Sequence, residues 1–467
     1  MKVIHRTSPV KTVNPATNKL VKEFEVMKED QLNRLINQAD QAYQEWHHTA
    51  FSKRAAIIHR MAGLMRERKE ELAKLATLEM GKLFRESIAE VEISAAIFDY
   101  YADHAEEFLS DKQLETPIGK AFISYEPIGV ILSVQPWNFP FYQITRSAAP
   151  NLMAGNTMVL KHASNVPQCA QIMEDLLTEA GTPKGVYTNL FLPGSQIEKL
   201  VSNPKIKGVT LTGSEPAGAA IAAAAGANVK KSTLELGGSD PFVVLEDADL
   251  DDAARTAVYG RMWNAGQVCV SPKRVIVPES KKEEFLQKVK NLFASLKVGD
   301  PMDPQTDVAP LSSEKAAQDV VAQVSKAAEQ GASILIGGKR ADGPGAFVQP
   351  TLITDITTDM DAYYEEIFGP VFMLYSYKTL DEAIEIANAT EFGLGGTVFG
   401  TDKDKAVEVA RKIDTGMVYI NHVTGIAPEL PFGGTKNSGY GREQSAVGIY
   451  EFVNEKLIRV TDSKNAY

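Results

Sequence analysis

Cysteine is nearly absent from this chain, and the two residues of that type limit the chemistry it can support. Only Cys169 and Cys269 occur among 467 residues. Two thiols exclude a disulfide framework and are typical of a protein kept in a reducing cytoplasm. The histidines are scattered, and no CxxC or HExxH motif provides the ligand spacing of a zinc site. We therefore expect a cytoplasmic protein without a bound metal.

Positive charge and long apolar runs are also scarce. The formal net charge is -11, whereas nucleic acids are bound through clusters of Lys and Arg. The first residues, MKVIHRTSPVKTVNP, lack the apolar core of a secretory signal. The small-residue stretch 219–227 is too short to span a membrane and is typical of a packed helix. We therefore expect neither a nucleic-acid nor a membrane partner.

The spacing of apolar residues divides the chain into a helical part and an α/β part. From residue 28 to residue 109 apolar side chains recur every three or four positions, which predicts helices. Segment 121–135 is rich in β-formers and predicts two strands with a bend at Pro127. Short apolar strands then alternate with helices in two series, which predicts parallel sheets. The strands are predicted at 158–161, 186–192 and 208–212, and then at 241–245, 274–278, 332–336, 371–377, 396–400 and 417–421.

Two α/β units joined near Gly237 and Gly238 are the simplest interpretation of this pattern. The tail 447–460, VGIYEFVNEKLIRV, alternates like an exposed strand. An edge of this kind either completes a local sheet or pairs with a second chain. We favour pairing between chains and expect a homodimer or a homotetramer.

Cys269 is the candidate nucleophile. It lies in NAGQVCVSPKR, where small and turn-forming neighbours let a substrate approach closely. Lys273 and Arg274 favour a thiolate if they point inward. Composition alone makes an inert, buried cysteine the better interpretation, and Cys169, in the stretch NVPQCAQIMEDLL, keeps that interpretation.

A carboxylate and an amide are candidates for the same site. Glu235, in TLELGGSDPF, ends the first α/β series shortly before Cys269 opens the second. A carboxylate that faces a thiolate is suited to be a general base that activates water against a thioester, although a solvated glutamate is an equal alternative. Asn138, in VQPWNFP, is a rigidly held amide that either stabilises an oxyanion or forms a turn.

A series of motifs settles these alternatives, because in this order they resemble the aldehyde dehydrogenase superfamily over essentially the whole chain. They are NPAT, EPIGV, PWNFP, AGNTMVLK, LTGSEPAG, LELGG, GQVC, EEIFGPV and PFGGTKNSGYGRE. The resemblance implies an α/β fold with two parallel α/β domains: a Rossmann-like cofactor-binding domain (1–114 and 132–237) and a catalytic domain (238–446). A small β oligomerisation arm (115–131 and 447–467) completes it. No GxGxxG fingerprint is present, and the family binds its dinucleotide without one.

The resemblance also implies a mechanism. Cys269 attacks the aldehyde carbon, and Asn138 together with the backbone N–H of Cys269 holds the oxyanion. Hydride transfer to NAD(P) leaves a thioester, which water activated by Glu235 hydrolyses to the acid. Ser214 lies where a helix N-terminus meets the pyrophosphate. The implied cofactor-binding residues are Trp137, Lys161, Ser164, Gly194, Gly213, Ser214, Leu236, Glu366 and Phe368.

Departures from the commonest family sequence indicate the cofactor and the substrate. Ser164 replaces a glutamate that favours NAD, which predicts that NADP is accepted and favoured over NAD. The segment ELGGSDP is similar to that of a bacterial succinate-semialdehyde dehydrogenase branch. Arg146 occupies a position where an arginine binds the far carboxylate of a semialdehyde, unless it instead faces an interface or an internal carboxylate. Thr424 is expected to replace a second, serine anchor.

Three alternatives remain beside a semialdehyde dehydrogenase. They are a general aliphatic aldehyde dehydrogenase, a CoA-acylating dehydrogenase, and a catalytically silent binding protein with the same fold. Glu235 argues against CoA acylation, because transfer to a thiol does not need a base that activates water. The joint presence of Cys269, Glu235 and Asn138 argues against a silent protein.

Overall fold

The computed structural model describes residues 10–462. The first nine residues of the segment considered for a secretory signal, and residues 463–467 of the predicted arm, lie outside the described residues. The strands are β1 (Val10–Asn14), β2 (Lys19–Phe24), β3 (Lys112–Leu114), β4 (Lys120–Pro127), β5 (Val130–Gln135), β6 (Thr157–His162), β7 (Tyr187–Asn189), β8 (Ile206–Thr212), β9 (Lys231–Glu235), β10 (Asp240–Val244), β11 (Pro272–Pro278), β12 (Ser333–Ile336), β13 (Thr351–Thr354), β14 (Val371–Tyr377), β15 (Phe392–Gly393), β16 (Thr397–Phe399), β17 (Tyr419–Ile420), β18 (Thr435–Lys436), β19 (Gly439–Tyr440) and β20 (Val453–Val460). The helices are α1 (Glu29–Trp46), α2 (Phe51–Glu67), α3 (Lys69–Met80), α4 (Phe84–Phe108), α5 (Pro140–Ala154), α6 (Pro167–Glu179), α7 (Ile197–Val201), α8 (Glu215–Ala227), α9 (Leu250–Met262), α10 (Lys282–Ser295), α11 (Glu314–Glu329), α12 (Leu380–Asn388), α13 (Lys403–Ala410) and α14 (Ser445–Ile449).

Two sheets that are mainly parallel organise the molecule and confirm the predicted α/β architecture. The first has the order β19-β9-β8-β5-β6-β7, with only β19 antiparallel. The second has the order β12-β13-β14-β11-β10-β16-β17, with only β12 antiparallel. Every residue of β5, β6, β10 and β11 is buried. Strands covered on both faces are rich in apolar residues, and each of these four contains a run of three or four of them, which is why the segments were recognisable in the sequence.

The helical region and the tail differ in how well the sequence predicted them. Four helices, α1 to α4, fill the segment that the apolar spacing assigned to helices. The tail was expected to be extended from residue 447, and this is wrong for its first six residues. They lie in α14 and in a 3-10 turn at Tyr450–Phe452, and β20 begins only at Val453. Buried Gly448, Ile449 and Phe452 follow helical spacing, not the alternation of a strand.

The strand β20 pairs with β4, which also pairs with β3, and the three form a separate antiparallel sheet. The domain division given above remains a prediction, and two short strands depart from its boundaries. β3 belongs to the arm sheet although 1–114 was assigned to the cofactor domain, and β19 pairs with β9 although 238–446 was assigned to the catalytic domain. Within residues 10–462, no helix combines the length and the apolar character needed to cross a membrane.

Candidate active site

The parallel strands of the six-stranded sheet end at one edge, and the predicted cofactor residues lie along it. Trp137 follows β5, Lys161 is the second-last residue of β6, and Gly213 follows β8. Glu235 is the last residue of β9. Open parallel sheets bind ligands in the crevice beyond the carboxyl ends of their strands, so the topology places these residues where a ligand is expected.

A cavity of about 290 Å³ opens at this edge, and Cys269 contributes to its wall. The wall consists of Pro136, Trp137, Asn138, Gln143, Thr212, Gly213, Ser214, Leu236, Gly237, Cys269, Glu366 and Phe368. The rings of Trp137 and Phe368 meet edge to face, with 5.9 Å between their centroids. The predicted nucleophile, the predicted oxyanion donor and most of the predicted cofactor residues therefore share one space.

The loop that holds Cys269 has an unusual backbone. Asn264 and Ala265 adopt positive φ angles of 50° and 52°, and Gly266 follows with a φ of +74°. A Cβ atom at Gly266 would lie 2.1 Å from the carbonyl oxygen of Gly369, so only glycine fits there. The side-chain amide of Asn264 donates to the carbonyl oxygen of Asn138 at 2.9 Å. This bond ties the nucleophile loop to the loop after β5.

The thiol of Cys269 is half-buried, and its surroundings act on its pKa in both directions. Burial raises the pKa of Cys269 to about 12, while the charges of Arg146 and Lys273 lower it. Lys273 therefore points towards the thiol region, as the sequence suggested. Arg274 does not: it donates to the carbonyl of Ser239 at 2.8 Å and to carbonyls at the end of α12. The prediction that Arg274 favours the thiolate is wrong, because its guanidinium is bound to these backbone carbonyls.

The side chain of Asn138 is buried and fixed by hydrogen bonds at both ends. Its Nδ2 atom donates to the carbonyl of Gln267 at 3.2 Å, and its Oδ1 atom accepts from Gln143 at 3.2 Å. A primary amide has two N–H groups, so one of them remains for a ligand. A donor that is already oriented costs no reorganisation when negative charge develops nearby.

Glu235 is a buried carboxyl group that no described residue satisfies. It is 2% exposed, and neither side-chain oxygen has a hydrogen-bond partner among residues 10–462. Burial raises the pKa of Glu235 well above its usual value, while Arg146 opposes this rise and Glu443 adds to it. A buried polar group without a partner is costly, and such groups cluster at functional sites.

Lys161, Ser164 and Gly194 are predicted cofactor residues that lie outside the cavity wall, whereas Ser214 is part of it. Lys161 is buried, which lowers its pKa, and no described residue forms a hydrogen bond or an ion pair with its ammonium group. Ser164 lies three positions further and is half-buried. Ser214 precedes α8 without capping it through its side chain, which leaves the first N–H groups of that helix free for an anion. Gly194 is exposed, and no atom lies within 4 Å of the position that a Cβ would take.

Arg146 does not offer the free guanidinium that the sequence suggested. It forms a buried ion pair with Glu443, and its Nη2 atom donates to the hydroxyl of Thr212 at 2.9 Å. The internal carboxylate that was the stated alternative is therefore its partner, which corrects the prediction of an unengaged clamp. Only Nη1 and the Nε atom lack a hydrogen bond of good geometry among residues 10–462, and Nε faces Glu443.

Thr424 is buried outside the cavity wall. A Cβ atom at Gly395 would lie 2.8 Å from its hydroxyl and 2.4 Å from a carboxyl oxygen of Asp240. Thr424 therefore packs against the start of β16 and β10, and the expectation that it anchors a substrate has no support from its position.

Several residues of the site were not anticipated. Gln143 and Thr212 belong to the cavity wall, and Lys273 forms an ion pair with Glu366, with 3.1 Å between Nζ and Oε1. One indication for Gln143 was present in the sequence, because it closely follows the PWNFP motif and lies in the first turn of α5. The pairing of Lys273 with Glu366 joins distant segments and left no signal in the sequence.

Comparison with known proteins gives consistent results. Residues 4–458 match the model of the aldehyde dehydrogenase family. The chain is 50% identical to a succinate-semialdehyde dehydrogenase [NADP(+)] of Deinococcus radiodurans over 98% of this chain and 96% of that protein. It is 45% identical to a probable enzyme of the same name from Synechocystis, over 96% and 99% of the two chains. A solved succinic semialdehyde dehydrogenase from Streptococcus pyogenes, in complex with NADP+, has 46% identity and a TM-score of 0.95, covering 97% of this chain and 100% of that one.

Proposed function

This chain belongs to the aldehyde dehydrogenase family, and from that premise we propose that it oxidises succinic semialdehyde to succinate with NADP+ as the preferred cofactor. The single observation that supports the chemistry is the cavity where Cys269 and Asn138 share one wall, with the carboxyl group of Glu235 at the end of the adjacent β9. The names of the relatives in Deinococcus and Streptococcus support the substrate and the cofactor.

The proposed reaction assigns one task to each of three side chains. The thiolate of Cys269 attacks the aldehyde carbon, and the carbonyl oxygen becomes an oxyanion. The free N–H of the Asn138 amide and the backbone N–H of Cys269 stabilise that charge. After oxidation the acyl group remains on sulfur as a thioester. Glu235 then removes a proton from water, which attacks the thioester carbon and releases the acid and the thiol.

The residues around the cavity fit a phosphorylated dinucleotide. Lys161 is a buried cation without a counter-ion among the described residues, and burial of such a charge is costly unless an anion pairs with it. We propose that Lys161 and Ser164 receive the 2′-phosphate, that the free N-terminus of α8 receives the pyrophosphate, and that Glu366 receives a ribose. Trp137, Gly194, Gly213, Leu236 and Phe368 would complete the walls. When bound, NADP+ supplies the two-electron oxidant of the reaction.

The cofactor preference depends on the absence of negative charge beside Lys161. We expect Ser164→Glu to lower the ratio of kcat/KM for NADP+ to that for NAD+ by about 100-fold, because a carboxylate there repels the 2′-phosphate and pairs with Lys161. Steady-state kinetics with both cofactors measure this ratio. Ser164→Gln, with the same length and no charge, is the control and should keep most of the NADP+ preference. An equal ratio in all three proteins would contradict this binding mode.

The substrate preference is tested by two aldehydes of equal chain length. We expect kcat/KM for succinic semialdehyde to exceed that for butanal by about tenfold or more, because a carboxylate paired with an arginine gains about 1.5–3 kcal/mol. We propose that the unused Nη1 of Arg146 provides this contact while Glu443 holds the guanidinium in place. The matched variant joins Arg146→Met with Glu443→Gln, which avoids leaving a buried charge unpaired. It should abolish the preference; similar kcat/KM values for both aldehydes in the unmodified enzyme would refute the semialdehyde assignment.

Two broader properties remain proposals as well. A reducing, cytoplasmic location agrees with Cys169 and Cys269 both being free thiols. A homodimer or homotetramer agrees with the arm sheet, where Leu457 and Val460 of β20 are exposed apolar side chains.

A further inference from the structure

Lys273 is a fully buried lysine whose ammonium group has three acceptors. Its Nζ atom donates to the carbonyl oxygens of Val268 at 2.8 Å and of Cys269 at 2.7 Å, and it lies 3.1 Å from Oε1 of Glu366. An ammonium group has three N–H donors, so this set satisfies all of them. Burial of an unpaired charge is costly, and here these three acceptors offset that cost.

The acceptors belong to different segments of the active site. Val268 and Cys269 belong to the nucleophile loop, whereas Glu366 comes from a segment almost a hundred residues later that also lines the cavity. Glu366 is also held by the backbone N–H of Gly238 at 3.2 Å, in the turn that follows Glu235. A Cβ at Gly238 would lie 2.6 Å from the carbonyl oxygen of Cys269, so these segments pack without a gap.

An ion pair enclosed in the hydrophobic core could not transmit a ligand contact to the nucleophile. Two features distinguish the pair of Lys273 and Glu366 from that case. The side chain of Glu366 is 17% exposed and lines the cavity, so a ligand can reach it. The carbonyl of Cys269 belongs to the nucleophile itself. A change at Glu366 therefore reaches the nucleophile through a single side chain.

We propose that Lys273 is a positioning residue that couples Glu366 to the backbone of Cys269, so that engagement of Glu366 by the cofactor alters the reactivity of the thiol. This rests on the proposed function only in that Glu366 receives a cofactor ribose. Hydroxyl groups that donate to Glu366 withdraw part of its charge from Lys273. The ammonium then acts more strongly on the Cys269 loop, and the thiolate is favoured.

The charged groups around the thiol determine whether a ligand on Glu366 raises or lowers the reactivity of Cys269. Arg146 and Lys273 favour the thiolate of Cys269, whereas Glu366 and Asp240 oppose it. A ligand that neutralises Glu366 therefore speeds alkylation of Cys269 at a fixed pH near 8. Without the ammonium at position 273, the thiol is less reactive and this response is lost.

The experiment measures alkylation of Cys269 by iodoacetamide, followed by mass spectrometry, with and without 2′-phospho-ADP-ribose. This probe carries the ribose, the pyrophosphate and the 2′-phosphate of the cofactor, but no nicotinamide ring that would shield the sulfur. We expect the probe to speed alkylation about threefold in the unmodified enzyme, and Lys273→Met to slow the basal rate about fivefold and remove the response. Binding of the probe, measured by calorimetry, should weaken about tenfold but remain saturable.

Lys288→Met is the matched control, because it removes a lysine of α10 whose ammonium pairs with Asp251 at 2.8 Å at the surface. It should leave the basal rate and the response unchanged. If Lys273→Met does not fold, Lys273→Gln keeps donors without the charge and should show the same loss. An unchanged response in the Lys273 variants, or no response in the unmodified enzyme when the probe is bound, would overturn the coupling. No aldehyde is present, so a wrong substrate assignment does not affect this outcome, whereas failure of the probe to bind refutes both the proposed cofactor site and the coupling.

Discussion

Replacement of Cys269 by alanine is expected to abolish aldehyde oxidation, with kcat lowered by about 10⁴-fold or more. The thioester forms on the Cys269 sulfur, and no step of the proposed reaction proceeds without it. The measurement is the appearance of NADPH by absorbance with succinic semialdehyde as substrate. Cofactor binding should persist, because the phosphate-binding candidates Lys161 and Ser214 belong to other segments, β6 and the loop after β8, which the substitution leaves intact.

The second cysteine provides the matched control. Cys169 lies on α6, is fully buried, and its backbone N–H donates to Glu79 at 2.9 Å. Cys169→Ala removes one sulfur atom from the core and should leave kcat within about twofold, at a cost of about 1 kcal/mol in stability. Activity that survives in Cys269→Ala, or that disappears in Cys169→Ala while the protein stays folded, would refute Cys269 as the nucleophile.

The pH dependence of this thiol gives an expectation for the alkylation of Cys269 in the unmodified enzyme. Burial raises the pKa of Cys269, so most of the enzyme without cofactor holds the protonated thiol at neutral pH. The thiolate fraction grows as the pH rises towards the raised pKa. The rate of alkylation of Cys269 should therefore increase throughout the range from pH 7 to 9.

The fold was predictable where a strand has a clear apolar pattern in its own sequence. Each of β5, β6, β10 and β11 contains a buried run of three or four apolar residues, and the covering helices show their apolar spacing directly. The strands β9 and β13 were not anticipated. β9 reads KSTLE, with polar residues at four of its five positions, and it is a strand because β8 and β19 pair with it on either side. Such tertiary context is not contained in a local pattern.

The candidate site was predictable through its motifs and less so through its contacts. The order of the motifs pointed to Cys269 and Asn138, which share the cavity wall. The partner of Arg146 was not predictable, because Glu443 lies almost at the other end of the chain and approaches only through the fold. Lys273 was recognised as a nearby charge, but its bond to Glu366 depends on how two loops meet.

The environment of Glu235 decides what this carboxyl group can do. Its oxygens have no partner among the described residues, and burial holds its pKa well above the usual range. A group with a raised pKa stays protonated until the pH approaches that value, and only the deprotonated form accepts a proton from water. Hydrolysis of the thioester should therefore accelerate with rising pH near neutrality. The nearby charge of Arg146 limits the rise in pKa, which keeps the carboxylate accessible.

Glu235→Gln should separate the two halves of the reaction. Acylation of Cys269 does not need a base that activates water, so one equivalent of NADPH per subunit should form in a rapid burst. Hydrolysis then slows by about 10²–10⁴-fold, because the amide cannot accept the proton of water. Stopped-flow absorbance measures the burst, and mass spectrometry of the Cys269 peptide should find a succinyl adduct.

A nucleophile that attacks the thioester without a general base tests whether Glu235 acts by activating water. Hydroxylamine should restore turnover in Glu235→Gln by releasing succinohydroxamate, and it should have little effect on the unmodified enzyme. Coenzyme A tests the acylating alternative: formation of succinyl-CoA by the unmodified enzyme would move the reaction to a different acceptor. If the variant gives neither a burst nor an adduct although it binds the cofactor, Glu235 must act before the thioester forms, as the base that deprotonates Cys269. Within residues 10–462 its two oxygens have no hydrogen-bond partner, which favours water as the partner instead, because a base already paired with the thiol would make that contact in the protein alone.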